Sequence, residues 1–384
     1  EFQSWEILSG KGGQGSYFNP TFLAPKGETK VNGHSTQIIT DKALNWLKKR
    51  NRKKPFLLCT QYKVPHIHRL PPPAHMGGYD EYEFPVPETF FDDFSTRSPF
   101  VSKTWMALKG MKGHVLNIAP LESEIAANPK LRPPFLTEMS PKQRKAWHQA
   151  YDPRNKRYRE LEKQGKLKGD KRNLYVYQRF IKDYVRCIDG LDTQIGRILR
   201  FLDEENLAEN TLLVYSSDQG FFTGEHGWAE KRWMYEESFK SPLLVRWPGV
   251  IEPGSLIEDL VQNIDLAPTF LQAAGLDVPS ALHGLALQPL FSESGPKEWR
   301  KEVLYQYFDG GTLQKPGPYN MPRHEGIRNR RYKLISFYEY DTWEFYDLHK
   351  DPNELSNLIG DPSMRAKIAG MKKRLEVIKD RFSP

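Results

Sequence analysis

Four residues, Ser217-Asp218-Gln219-Gly220, directly follow the apolar run Thr211-Leu212-Leu213-Val214-Tyr215-Ser216. In open α/β sheets, ligands sit in the crevice outside the carboxyl ends of the strands. Asp218 and Gln219 would offer a carboxylate and an amide carbonyl there, both hard oxygen donors that suit calcium or magnesium. Taken alone, an Asp near a Gly is more readily a turn or a helix N-cap. The surroundings favour the ligand reading. Gly224-Glu225-His226-Gly227-Trp228 follows, and then Lys231, whose ammonium is a compact point charge suited to an oxyanion. Upstream, Lys63 and His66 lie in Lys63-Val64-Pro65-His66, just past a second strand-like run. Donors at that strand end would point into the same crevice. A lone His or Lys is usually structural or solvated, so it is the shared placement that lifts these residues.

The elements that must position them read as follows. Ile38, Ile39, Ala43, Leu44 and Leu47 recur at helical spacing over 35–50, and Lys48, Lys49 and Arg50 close that helix. Residues 55–62 have the length and apolar character of a strand. Residues 70–173 show little periodicity and predict a long insertion with a few short helices. Residues 174–205 predict a long helix with one apolar stripe, in which Gly190 and Gly196 mark close packing. Strands are expected over 211–216 and 241–247, and a short helix over 265–274, ended by Gly275. Alternating strands and helices imply an α/β fold with a largely parallel central sheet. From about residue 300 the pattern changes. Strands over 303–308, 332–337 and 343–348 and a last helix over 363–382 predict a small antiparallel α+β subdomain. The division expected is a core over 1–299 and a C-terminal subdomain over 300–384.

Composition narrows the function classes. The chain has 384 residues, 38% of them hydrophobic, and a net charge of +8. Much of the positive excess lies between Lys142 and Arg186. It permits an anionic partner, but on charge alone a solvated basic face is the preferred reading, and no nucleic-acid motif accompanies it. No apolar run approaches the ~20 residues that a membrane helix needs. Cys59 and Cys187 form no paired motif; each is expected to be a buried thiol, Cys59 in the strand-like run Phe56-Leu57-Leu58-Cys59. No Asn-x-Ser/Thr glycosylation site occurs.

Taken in order, these motifs resemble those of the sulfatase family of the alkaline-phosphatase superfamily. Lys63-Val64-Pro65-His66 is similar to the Lys-x-Pro-His motif whose lysine and histidine contact sulfate. Ser217-Asp218-Gln219-Gly220 resembles the metal-binding Ser-Asp-(His/Asn/Gln)-Gly. Gly224-Glu225-His226-Gly227 with Lys231 resembles the loop carrying the sulfate-binding lysine. Thr40-Asp41-Lys42-Ala43-Leu44, Val261 to Thr269, and Phe345-Tyr346-Asp347-Leu348 with Asp351-Pro352-Asn353-Glu354 resemble further family signatures.

The resemblance implies an alkaline-phosphatase-like α/β fold and hydrolysis of a sulfate ester. It implies one calcium, held in part by Asp218 and Gln219, and sulfate donors Lys63, His66 and Lys231. It also implies a formylglycine nucleophile, made from the first residue of Cys/Ser-x-Pro/Ala-x-Arg. Neither Cys59 nor Cys187 begins such a motif. The expectation is therefore an N-terminally truncated sulfatase in which Glu1 is internal, inactive by itself. His324-Glu325-Gly326-Ile327-Arg328 and Pro85 to Asp93 resemble sulfatases acting on N-acetylglucosamine 6-sulfate in mucin or glycosaminoglycans. Arg323, His324 and His226 are the candidate sugar contacts. The implied partner is a sulfated carbohydrate, with no nucleic acid and no membrane span. The implied setting is secreted, periplasmic or lysosome-like. Two other readings stay open: a phosphodiesterase or phosphonate hydrolase of the same superfamily, and a non-catalytic glycan-binding remnant.

Overall fold

The computed structural model describes residues 2–10, 14–111, 113–292, 295, 296, 298–310 and 321–382. Glu1 lies outside the described residues. The chain folds as two compact units that exchange segments along the sequence: residues 1–86 with 108–208, and residues 87–107 with 209–384.

The first unit opens with a three-stranded antiparallel sheet of β1 (Ile7–Ser9), β2 (Thr21–Ala24) and β3 (Gly27–Lys30), in which Phe22 faces Leu8 on one side and Thr29 on the other. Helix α1 (Ser35–Lys49) follows, with His34 as its N-cap and Ile38, Ala43 and Leu47 buried. Its extent matches the periodicity. Two short helices, α2 (Glu122–Ala127) and α3 (Pro134–Thr137), lead into α4 (Pro141–Lys163) and α5 (Gly169–Glu204).

Helix α4 is longer than the sequence predicted for this region. Its start is well specified. The Ser140 hydroxyl accepts from Gln143 N at 3.3 Å, and the Gln143 side chain accepts from Ser140 N at 2.7 Å, a capping box with Pro141 at the first helical position. Its buried face is Trp147, Tyr151, Asn155 and Tyr158, at helical spacing but aromatic and polar rather than aliphatic. Helix α5 presents Asp183 to this face, where it accepts from Tyr151 Oη at 2.8 Å, Asn117 Nδ2 at 2.8 Å and Arg186 at 2.7 Å. The basic excess here is thus only partly solvated, since Arg186 and Arg179 are buried. Gly190 is needed where expected, because a Cβ there would lie 2.6 Å from Pro72. Gly196 meets nothing closer than 3.4 Å.

Residues 55–62 are a correction. They form no strand, and no described strand pairs with them. Leu57 is 53% exposed, and Cys59 is exposed rather than buried. An apolar run is stable as a strand only when neighbours take its backbone groups and cover its faces. Cys187 is fully buried, and burial pushes its thiol pKa up.

In the second unit, β4 (Leu213–Ser216) pairs with β7 (Leu243–Arg246), Val214 facing Val245. The pairing is antiparallel, as is every strand pair among the described residues, within the mixed α/β fold that the sequence implied. Between them lie a hairpin of β5 (Phe222–Thr223) and β6 (Ala229–Glu230) and the short helix α6 (Glu236–Phe239). Helix α7 (Leu266–Ala273) ends at Gly275, whose φ is +70°. The C-terminal part is the expected α+β subdomain. Strands β8 (Glu302–Tyr307), β9 (His324–Asn329), β10 (Tyr332–Phe337) and β11 (Thr342–Asp347) form one antiparallel sheet in the order 11-10-9-8. Helix α8 (Arg365–Phe382) covers it through Ile368, Met371 and Leu375, which pack on Ile327, Leu334 and Phe345. No helix among the described residues is long and apolar enough to cross a membrane.

Candidate functional site

Asp218 and Gln219 stand at the carboxyl end of β4, as the sequence placed them. Asp218 is exposed, and its Oδ1 accepts from the Ser217 hydroxyl at 3.2 Å. The loop is anchored one residue on. Gly220 N donates to Ser238 O at 2.9 Å, and a Cβ at Gly220 would lie 2.2 Å from Glu237 O and 2.7 Å from Lys240 O. Only glycine allows this approach of two backbones. The loop therefore presents two hard oxygen donors from a fixed base, which fits part of a calcium shell. Among the described residues, no three His, Cys, Asp or Glu side chains gather as a metal cluster.

Lys231 lies in the same unit, just after β6. It is 6% exposed, with its Nζ 3.6 Å from Glu230 Oε2 and 5.8 Å from the centre of the Phe221 ring. Its two neighbours have φ in the left-handed region, +93° at Glu230 and +106° at Arg232. Such conformations cost ~1–3 kcal/mol each and persist only where the surroundings over-determine them.

The turn of the same hairpin carries a buried ionic cluster that the sequence did not disclose. His226, at the turn of the β5–β6 hairpin, donates from Nδ1 to Asp92 Oδ2 at 2.7 Å. Its Nε2 faces Glu237 Oε1 at 3.7 Å. Burial alone would lower the pKa of this ring. The hydrogen bond to Asp92, and then Glu237, outweigh burial and push it up to about 9. Asp92 is held below the usual carboxylate range: burial opposes this, but His226, the Phe94 amide and Arg97 overcome it. Arg97 pairs with the same Asp92 oxygen, Oδ2.

A second cluster lies behind α6. Lys333 is fully buried between Glu236 at 2.9 Å and Glu354 at 2.8 Å, and Arg328 also pairs with Glu236 at 2.9 Å. Burial raises the Glu354 carboxyl, Lys333 only partly offsets it, and its pKa comes to about 7. Lys333 and Arg328 outweigh burial at Glu236 and bring it to about 2. Glu354 belongs to the Asp-Pro-Asn-Glu motif noted in the sequence, and this ion pair gives it a structural task.

Of the candidate sugar contacts, Arg323 is the accessible one. Its side chain is 47% exposed and pairs with Glu339 at 3.2 Å. His324 is fully buried among Trp233, Tyr305, Tyr307 and Phe337, with Nδ1 at 3.0 Å from Pro322 O. Burial lowers its pKa to about 4, so the ring is neutral at ordinary pH. His226 is 3% exposed, and Trp228 is a core residue stacked on Phe94 at 5.1 Å.

Lys63 and His66 belong to the first unit. His66 N donates to Lys63 O at 3.0 Å in a tight turn, and the Tyr17 hydroxyl donates to His66 O. The Lys63 ammonium lies 5.2 Å from the centre of the Tyr17 ring and lines a cavity of about 220 Å³ together with Tyr17, His68, Phe135 and Glu138.

The sulfatase family profile matches residues 8–276, and a profile for the C-terminal part of N-sulphoglucosamine sulphohydrolase matches residues 224–381. An N-acetylglucosamine-6-O-sulfatase of Bacteroides thetaiotaomicron is 36% identical over 380 residues, which cover 98% of this chain and 66% of the relative. Human arylsulfatase K is 27% identical over 332 residues, 83% of this chain and 51% of the relative. The chain thus spans just under two thirds of the first relative and half of the second. A solved structure of a protein in complex with its substrate, D-glucosamine-2-N,6-O-disulfate, is 35% identical, with a TM-score of 0.92, over 99% of this chain and 76% of that one. The phosphonate monoester hydrolase of Silicibacter pomeroyi, 22% identical with a TM-score of 0.62 over 91% of this chain and 60% of that one, shares the fold.

Proposed function

The chain belongs to the sulfatase family, and from that premise we propose that it serves the hydrolysis of a sulfate ester on a sulfated glycan, the 6-sulfate of N-acetylglucosamine. The observation that carries this reading is the 36% identity to an N-acetylglucosamine-6-O-sulfatase along 98% of the chain, with Ser217-Asp218-Gln219-Gly220 and Lys231 held on one fixed framework. Sulfate carries a permanent negative charge, and Lys231 supplies a buried point charge to meet it. Lys63 and His66 are the proposed donors of the first unit. Asp218 and Gln219 would hold part of a calcium shell, and the ion would polarise a sulfate oxygen. Arg323 is the proposed sugar contact, with His324 shaping the strand beside it from within the core. The division into 1–299 and 300–384 is retained as a proposal that follows the motifs. A secreted, periplasmic or lysosome-like setting agrees with this substrate class.

The test is selective binding. The chain is titrated calorimetrically with N-acetylglucosamine 6-sulfate, unsulfated N-acetylglucosamine and a phosphonate monoester. Tighter binding of the sulfated sugar than of both others is expected. Preference for the phosphonate would move the reading to the phosphonate hydrolases, and binding that ignores the sulfate would end it.

A further inference from the structure

We propose that His226 is a positioning residue for Lys231: clamped between Asp92 and Glu237, it fixes the β5–β6 hairpin in the one conformation that delivers the Lys231 ammonium to sulfate. The proposal rests on the reading of Lys231 as a sulfate ligand and adds the device that holds it.

Four observations carry it. The hairpin is gripped by a segment distant in sequence: His226 Nδ1 bonds Asp92 at 2.7 Å, and the His226 amide donates to the Thr89 hydroxyl at 3.0 Å. Gly227 presses so closely on this segment that a Cβ would lie 2.7 Å from Phe90 O. The turn is held under strain, since His226 itself has φ +55°. Finally, Glu237 meets the other ring nitrogen from α6, while its own backbone carbonyl closes over Gly220 beside Asp218. One imidazolium thus joins three pieces: residues 89–92, the lysine-bearing hairpin, and the helix that backs the Asp218 loop.

The groups facing the ring are two carboxylates, Asp92 and Glu237, with Arg97 behind Asp92 and the Tyr235, Phe94, Phe222 and Trp228 rings around it. Both carboxylates demand the protonated ring. If it loses its proton, Nε2 no longer offers a donor to Glu237, and two half-buried carboxylates repel across the turn. The clamp then loosens, and Lys231 loses its frame.

The probe is N-acetylglucosamine 6-sulfate, titrated into the full chain between pH 6 and 10, with imidazole NMR following the His226 ring. Wild-type affinity is expected to fall by ~10-fold as pH rises through about 9. Asp92→Asn moves that midpoint downwards, towards the ordinary value of 6.5. His226→Gln binds weakly at every pH, with that transition gone. A Lys231→Ala chain that binds like wild type removes the sulfate reading and this inference with it. A weakened Lys231→Ala chain beside a His226→Gln chain of wild-type affinity overturns the inference alone. If a variant fails to fold, the wild-type ring decides: titration at or below 6.5, or affinity unchanged across the ring's own transition, overturns the clamp.

Discussion

Lys231 and His324 show how far a residue's surroundings decide its task. Lys231 is an ordinary cation in the sequence, yet it sits nearly buried between two strained backbone positions. In kinetics of the proposed sulfate release, Lys231→Ala is expected to lower kcat/KM by ~10²-fold, because a preorganised charge facing a transferring oxyanion contributes ~3 kcal/mol. Lys231→Arg should restore only part of it, since a planar fork does not replace a point charge. His324 is the opposite case. Its motif suggested a sugar contact, whereas the ring is enclosed by aromatics and its pKa is lowered to about 4. A depressed folded-state pKa means that the unfolded chain takes the proton first as pH falls. The stabilisation is therefore complete above pH 6.5 and lost as pH drops towards 4, by roughly 3 kcal/mol. Urea unfolding at pH 7 and pH 4.5 checks this. His324→Phe should lose distinctly less stability than wild type between the two. His34, also lowered to about 4, leaves a residual acid dependence in both proteins.

At the scale of elements, the second unit is held by buried charges as much as by apolar packing. Lys333→Met leaves Glu236 and Glu354 without their shared cation and is expected to cost about 3–5 kcal/mol in urea unfolding. Gly220→Ala drives a methyl group into the Glu237 and Lys240 carbonyls. It is expected to cost about 2 kcal/mol or more of stability, with weaker binding of the sulfated sugar because the Asp218 loop must move. Much of the element structure was legible. Helix α1, the long α5, and strands β8, β10 and β11 followed from periodicity, because each carries hydrophobic side chains at the spacing of its own element. Helix α4 was not, because its buried face is Trp147, Tyr151, Asn155 and Tyr158 and Pro153 interrupts its pattern. Its Ser140-Pro141-x-Gln143 start was the available signal. Strand β9 hid for a related reason, since it opens with His324-Glu325-Gly326. Residues 55–62 misled in the other direction: apolar content promised a strand, but strands exist only as pairs. In the site, Asp218 and Lys231 were legible as local motifs. The partners Asp92 and Glu237 were not, since Asp92 lies 134 positions from His226 and only the fold joins them.

For the whole molecule, the net charge of +8 suits an anionic glycan. Binding of a sulfated oligosaccharide should weaken as salt rises, more steeply than binding of the monosaccharide, because long-range attraction to added sulfates is screened. Affinity measured at low and high ionic strength for both ligands checks this; equal slopes would confine recognition to the single sulfate. Family membership supplies the larger frame, and the sulfate group is its centre. The most direct measurement is the affinity of the chain for N-acetylglucosamine 6-sulfate and for unsulfated N-acetylglucosamine, each with wild type and with Lys231→Ala. The expected result is a preference of ~10-fold or more for the sulfated sugar in wild type, largely lost in the variant. Equal affinity of wild type for the two sugars, or a preference that survives Lys231→Ala intact, would contradict it.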